Sequence, residues 1–164
     1  MLPTVCKILF ARDFLAFIGF RITAAPDRGA DGGKDLIAEE TRSGVGGETK
    51  VKWLVSCKHK STSGNSVSPD DESNITDRVH ANGCDAFMGF YSTLPSAGLN
   101  RNLEGLRFEH LIYDREAIER ELLHSSEGLE IASRYFPESL VAWKVNNPEP
   151  AQIFANQPGL ECWV

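Results

Sequence analysis

The chain has no closely spaced cysteine pair. Its four cysteines, Cys6, Cys57, Cys84 and Cys162, lie far apart, which excludes a C-x-x-C zinc ribbon and a dense disulfide framework. A reducing, cytoplasmic setting is the expectation. No apolar run approaches the roughly 20 residues needed to cross a bilayer. The opening Met-Leu-Pro-Thr-Val-Cys-Lys lacks the basic region and apolar core of a leader, so the protein is expected to be neither exported nor embedded. No internal repeat is visible. Overall positive charge is missing as well: the formal net charge is −6, which argues against a surface uniformly coated for nucleic acid.

What is present is an ordinary single-domain balance, 164 residues with 41% hydrophobic and 24% charged, enough for one packed core. The charge is unevenly spread. From Arg42 to Lys60, five cations (Arg42, Lys50, Lys52, Lys58, Lys60) face one anion, Glu48, with His59 beside them. Acids gather at Asp70, Asp71 and Glu72 and from Asp114 to Glu130.

Apolar residues from Val5 to Phe20 recur at helical spacing and Gly19 supplies a stop. Phe20 to Ala24 reads as extended, and Pro26 to Lys34 as a loop dense in turn formers. Leu36-Ile-Ala38 begins a strand, Ser43 to Glu48 turns the chain, and Val51 to Cys57 returns it, giving a hairpin. Lys60 to Pro69 is a polar loop in which Ser68 or Asp70 is placed to cap a helix ending near Ala81. Ala86 to Tyr91 is nearly all apolar, as in a strand buried on both faces. A short helix from Leu99 to Leu106, a strand at Leu111–Tyr113 and an amphipathic helix from Arg115 to Leu123 complete the pattern. This order predicts an α/β fold, a central mixed sheet with helices on both faces. Residues 1–145 are expected to form the domain, and 146–164, with Pro148, Pro150 and Pro158, a tail or linker.

A carboxylate at the head of one strand and a lysine at the end of its hairpin partner can meet at one edge of a sheet. Asp35 and Lys58 have those positions. Side chains alternate along a strand, so Ser56 and Lys58 share a face and Cys57 points to the other. Phosphodiester hydrolysis needs a hard cation held by oxygen ligands, plus a positive group near the nucleophile. Asp35, with the Cys57 backbone carbonyl, suits the first task and Lys58 the second. Arg28, Lys34, Lys50, Lys52, His59 and Lys60 are then candidate contacts to DNA phosphates.

Ala30-Asp-Gly-Gly-Lys-Asp-Leu-Ile37, followed by Leu54-Val-Ser-Cys-Lys-His-Lys60, resembles the catalytic core of Mrr-like restriction endonucleases of the PD-(D/E)xK superfamily. Their pattern is G-x-D-G-G-x-D-L, a hairpin, then Q/E-x-K on the next strand. The resemblance spans about the first two-thirds of the chain. It implies the restriction-endonuclease-like fold and metal-dependent cutting of double-stranded DNA, with Mg2+, or Mn2+ in its place. It also implies a metal-binding role for Asp35, a catalytic role for Lys58, and Asp31 beside them in the glycine-rich loop. Defence against foreign DNA, and a homodimer or a separate sensor or translocase partner, belong to the same implication.

Two features depart from the pattern. Ser56 stands where it has glutamate or glutamine, and Leu2 to Phe10 contains no acid, although members often carry a glutamate on the first helix. Asp31, Asp27 or Glu40 are alternative ligands. Each residue also has a plainer reading. Asp35 and Lys58 make a surface ion pair, Asp31-Gly-Gly a tight turn, Ser56 a small residue beneath a helix, and His59 a solvated side chain. Trp53, Phe87, Phe90 and Tyr91 fit a core better than a base-stacking surface. The leading expectation is a DNA endonuclease with Asp35, Lys58 and Ser56 at its centre. The alternatives are a catalytically impaired nuclease-fold module that binds nucleic acid or a partner protein, and a thiol hydrolase using Cys57 and His59.

Overall fold

The computed structural model describes residues 4–24, 36–60 and 64–148. Helix α1 (Thr4–Phe17) leads to strand β1 (Arg21–Ala24), and β2 (Leu36–Gly44) and β3 (Gly47–Lys58) then form a hairpin. Next come α2 (Ile75–Ala81), β4 (Ala86–Tyr91), α3 (Ala97–Glu104) and β5 (His110–Tyr113), followed by α4 (Arg115–Leu122), α5 (Ser126–Tyr135) and α6 (Pro137–Asn146). The hairpin is longer than the apolar runs indicate. Gly44 pairs with Gly47 around a two-residue turn, and Gly47 has a φ of 109°, a conformation that glycine adopts freely.

The strands lie in the order β1-β2-β3-β4-β5. The pairs β1/β2 and β2/β3 are antiparallel, while β3/β4 and β4/β5 are parallel. The mixed sheet expected from the sequence is therefore present. Both parallel connections step across the sheet in the same direction, so one handedness of crossover sends α2 and α3 to the same face. Strand alternation divides the core accordingly. Trp53, Val55, Met88 and Phe90 pack with Phe10, Phe14 and Leu15 of α1 and with buried residues of α4, α5 and α6. Leu54, Phe87 and Tyr91 pack with Ile75 and Val79 of α2 and Leu99 and Leu103 of α3. Every residue of β4 is buried, as its apolar run requires, and Trp53, Phe87, Phe90 and Tyr91 are core residues.

Three local expectations are corrected. Neither Ser68 nor Asp70 caps α2; its N-cap is Asn74, in the left-handed region at φ 54° and without a side-chain cap bond. Ser68 is held by Asp71, whose Oδ2 accepts from its backbone N and its Oγ at 2.8 and 2.6 Å. Glu40 is a structural residue toward the hairpin tip, where its Oε2 accepts from Trp53 Nε1 and Arg42. Finally, α5 and α6 add two helices where no element was expected. The loop read over Pro26–Lys34 and most of the 146–164 tail lie outside the described residues.

Candidate active site

The parallel strands β3 and β4 finish at the same end of the sheet, with Lys58 paired to Tyr91. Antiparallel pairing brings the start of β2 to that end as well, where Leu36 faces Val55. Past the strand ends, Ser92 N donates to Lys58 O at 3.1 Å, and Lys60 N donates to Ser92 Oγ at 2.9 Å. Loops at the carboxyl ends of parallel strands are free to carry chemistry because the sheet fixes their bases.

The segment after β3 is pinned to this end. Val67 is fully buried. Its N donates to Leu94 O at 3.0 Å, and its O accepts from Ser96 N at 2.9 Å. Lys60 Nζ reaches Asp71 Oδ2 at 2.5 Å, and that lysine, then Ser68, pull the Asp71 carboxyl down to about 2. The chain thus delivers Glu72 beneath the sheet face, and Asn74 turns it into α2.

Glu72 is a buried carboxylate, its side chain fully excluded from solvent. Its Oε2 accepts from Arg78 Nη1 at 2.8 Å, and Arg78 Nη2 donates to Ser56 Oγ at 3.0 Å. Ser56, 1% exposed, is therefore tied to Glu72 through a single guanidinium. Glu72 Oε1 is buried and has no hydrogen-bond partner. A buried acceptor left in that state costs about 1–3 kcal/mol, and more when charged. Tyr91 approaches the same carboxylate, since burial first and Glu72 second push its phenol well above the ordinary value. No hydrogen bond of good geometry forms between them, and Tyr91 Oη is also unsatisfied. A lone carboxylate oxygen in this position suits a hard divalent cation.

The residues singled out in the sequence are only partly brought together. Asp35, Asp31, Arg28 and Lys34 lie outside the described residues; the described register stops at Leu36 opposite Val55, one position short of Asp35. Ser56 and Lys58 are on the α2/α3 side of β3, as alternation requires, and Lys58 is half-buried at the strand end. Cys57 packs on the other face against the α1 side of the core. It is partly buried in that packing, as the core reading of Cys57 expects. His59 is exposed.

Lys50 and Lys52 sit toward the hairpin turn, six or more residues up the strand from Lys58, about 20 Å or more at ~3.3 Å per residue. Lys50 pairs with Glu39 at 3.1 Å, and Lys60 is engaged by Asp71. Lys50 and Lys52 are therefore set apart from Lys58, whereas Lys60 lies two residues beyond it at the same strand end, engaged by Asp71. Sequence reasoning missed Glu72 and Arg78 because Glu72 lies in an irregular segment with no periodicity. The nearest signal was the acidic run Asp70-Asp71-Glu72. Among the described residues no group of three or more His, Cys, Asp or Glu side chains clusters as a metal site.

The sequence matches the Mrr catalytic-domain family, described as restriction endonuclease, over residues 9–93. That is more than half of the chain, and the chain belongs to this family. The mixed sheet with helices on both faces is its restriction-endonuclease-like fold. Among solved structures, the DNA modification-dependent restriction endonuclease AspBHI is 12% identical with a TM-score of 0.49, covering 89% of this chain and 40% of its own. The MspJI restriction endonuclease in complex with a 27-mer oligonucleotide is 18% identical with a TM-score of 0.46, covering 84% of this chain and 34% of its own. The chain thus spans well under half the length of either. No curated protein matches it.

Proposed function

We propose that this chain is a divalent-metal-dependent endonuclease of double-stranded DNA. Membership of the restriction endonuclease family carries the reading, because the match spans the Asp35 and Lys58 pattern. Asp35 and the Cys57 carbonyl hold the ion, Mg2+ with Mn2+ as a substitute, and Asp31 lies in the same loop. The bound ion supplies Lewis-acid stabilisation of charge on the phosphate and a more acidic water. Lys58, fixed at the end of β3, donates to the attacking water and offsets negative charge that develops at phosphorus. Arg28, Lys34 and His59 are the proposed contacts to DNA phosphates, which position the duplex without reading its bases. Cutting both strands calls for two such sites, which a homodimer or a separate sensor or translocase partner would organise. A role in cytoplasmic defence against foreign DNA is part of this reading.

A second reading is favoured by one observation: position 56 offers no carboxylate, and its hydroxyl accepts from Arg78. A nuclease-fold module that only binds nucleic acid or a partner would look the same there. Plasmid and linear DNA incubated with Mg2+, Mn2+ or EDTA, using the full chain and Asp35→Ala, Lys58→Ala and Cys57→Ser, separates the two. Cleavage that needs metal, Asp35 and Lys58 and tolerates Cys57→Ser is expected. DNA binding without cleavage in any metal would establish the binding module instead.

A further inference from the structure

We infer that Glu72 supplies the carboxylate that position 56 lacks, offering Oε1 to the divalent ion while Arg78 holds Oε2 and acts as its positioning residue. The inference rests on the metal-dependent reading above and names a ligand within it. Three observations carry it.

The first is the unpaired oxygen. Glu72 is 4% exposed, one of its oxygens is committed to Arg78, and the other is buried with no hydrogen bond of good geometry, the Tyr91 phenol being the neutral group that approaches the carboxylate. A buried charge is ordinarily paired and hydrogen-bonded on every side, so an oxygen left open beside a strand end is a group with a use.

The second is the link to Ser56. One guanidinium spans Ser56 Oγ and Glu72 Oε2 at 3.0 and 2.8 Å. A glutamate on β3 would reach out from position 56; here a glutamate arrives at the same neighbourhood from the loop before α2. The hydroxyl is shorter and neutral, and with Arg78 bonded to it, it is a poor ligand for a hard cation.

The third is the fixing of the loop. Two hydrogen bonds hold Val67, and Lys60 and Ser68 hold Asp71, so the carboxylate one residue further on is presented by a braced segment. Arg78 presents its planar fork from the last turn of α2 and engages Oε2, which leaves Oε1 as the uncommitted oxygen for an ion.

The test is Mn2+ binding to the full chain without DNA, followed by titration calorimetry, with thermal melts to confirm folding. Glu72→Gln is expected to weaken Mn2+ binding about a hundredfold, as when ligand charge sets affinity. The double variant Glu72→Gln/Ser56→Glu is expected to recover most of it, because the acid is returned from the strand. Arg78→Lys keeps the charge but not the fork, and is expected to weaken binding about tenfold with an unchanged melt. Should Glu72→Gln fail to fold, Glu72→Asp serves in its place, a retracted carboxylate that must also weaken Mn2+ binding. Wild-type affinity in the folded Glu72 variant, alongside loss in Asp35→Asn, would overturn the assignment of Glu72 and leave the nuclease reading intact. No Mn2+ binding by the wild-type chain would remove both.

Discussion

Gly89 stands opposite Ser56 in the β3/β4 ladder, and its missing side chain is what lets the Tyr91 ring lean back over the strand. A Cβ at that position would collide with Tyr91 Cζ and come within 2.5 Å of Tyr91 Oη and 2.7 Å of Ile112 Cδ1. Tyr91 is fully buried, so the ring has nowhere to go without disturbing Glu72 beside it. Gly89→Ala is therefore expected to destabilise the fold by about 1–3 kcal/mol, as overpacking of a filled core does. A urea denaturation midpoint equal to wild type would show that the ring is not confined there. At this scale the sequence was legible in part. The run Ala86–Tyr91 announced a buried strand, and alternation placed Ser56 and Lys58 on one face. Nothing local told that Tyr91 would meet an acid nineteen positions earlier, because such contacts depend on which loop the fold lays across the strand.

Among the elements, the segment between β3 and α2 has the most direct bearing on the site, and electrostatics hold it. The Asp71 carboxyl is lowered from 3.8 to about 2, first by Lys60, then by the Ser68 side chain and backbone. A depressed carboxyl stabilises the folded chain above its unfolded value and stops doing so as pH falls through its folded value. The bracing contribution is accordingly present above about pH 4 and lost on acidification toward pH 2. Asp71→Asn should remove it at neutral pH, costing about 1 kcal/mol for a partly solvated pair, and should flatten the acid limb of stability over that range. Urea titrations of both proteins at several pH values check this; parallel acid limbs would mean that Asp71 contributes nothing. The element order through α4 was legible from periodicity and turn residues. The helices α5 and α6 had readable signals too. Ser125 Oγ accepts from Gly128 N at 3.1 Å as an N-cap, and Pro137 opens α6, the preferred place for proline in a helix. The cap of α2 was not legible, because Asn74 starts that helix by its backbone conformation and not by a side-chain bond.

Across the whole molecule, folding redistributes charge that looked concentrated in the sequence. The cationic stretch from Arg42 to Lys60 suggested a phosphate-binding face, yet Arg42 is held by Glu40 and Glu109, Lys50 by Glu39 and Lys60 by Asp71. The partner acids come from β2, from the segment before β5 and from the loop before α2, so their neutralising effect is a property of the tertiary structure. Lys58 has no carboxylate within ion-pair distance among the described residues, and it stands at the far end of β3 from Lys50 and Lys52. DNA gripped at the Lys58 end is expected to be little affected by the hairpin lysines. Each phosphate contact adds about 0.9 to the slope of log affinity against log salt. The double variant Lys50→Ala/Lys52→Ala is therefore expected to keep the wild-type slope, whereas a duplex lying along the hairpin would lose about 2 from it. Fluorescence anisotropy of a labelled duplex, titrated over a range of salt with Ca2+ in place of Mg2+ to prevent cutting, reads that slope directly. A drop of that size would move the proposed DNA path from the strand end to the hairpin arm, and Lys50 and Lys52 would then join Arg28, Lys34 and His59 as proposed phosphate contacts.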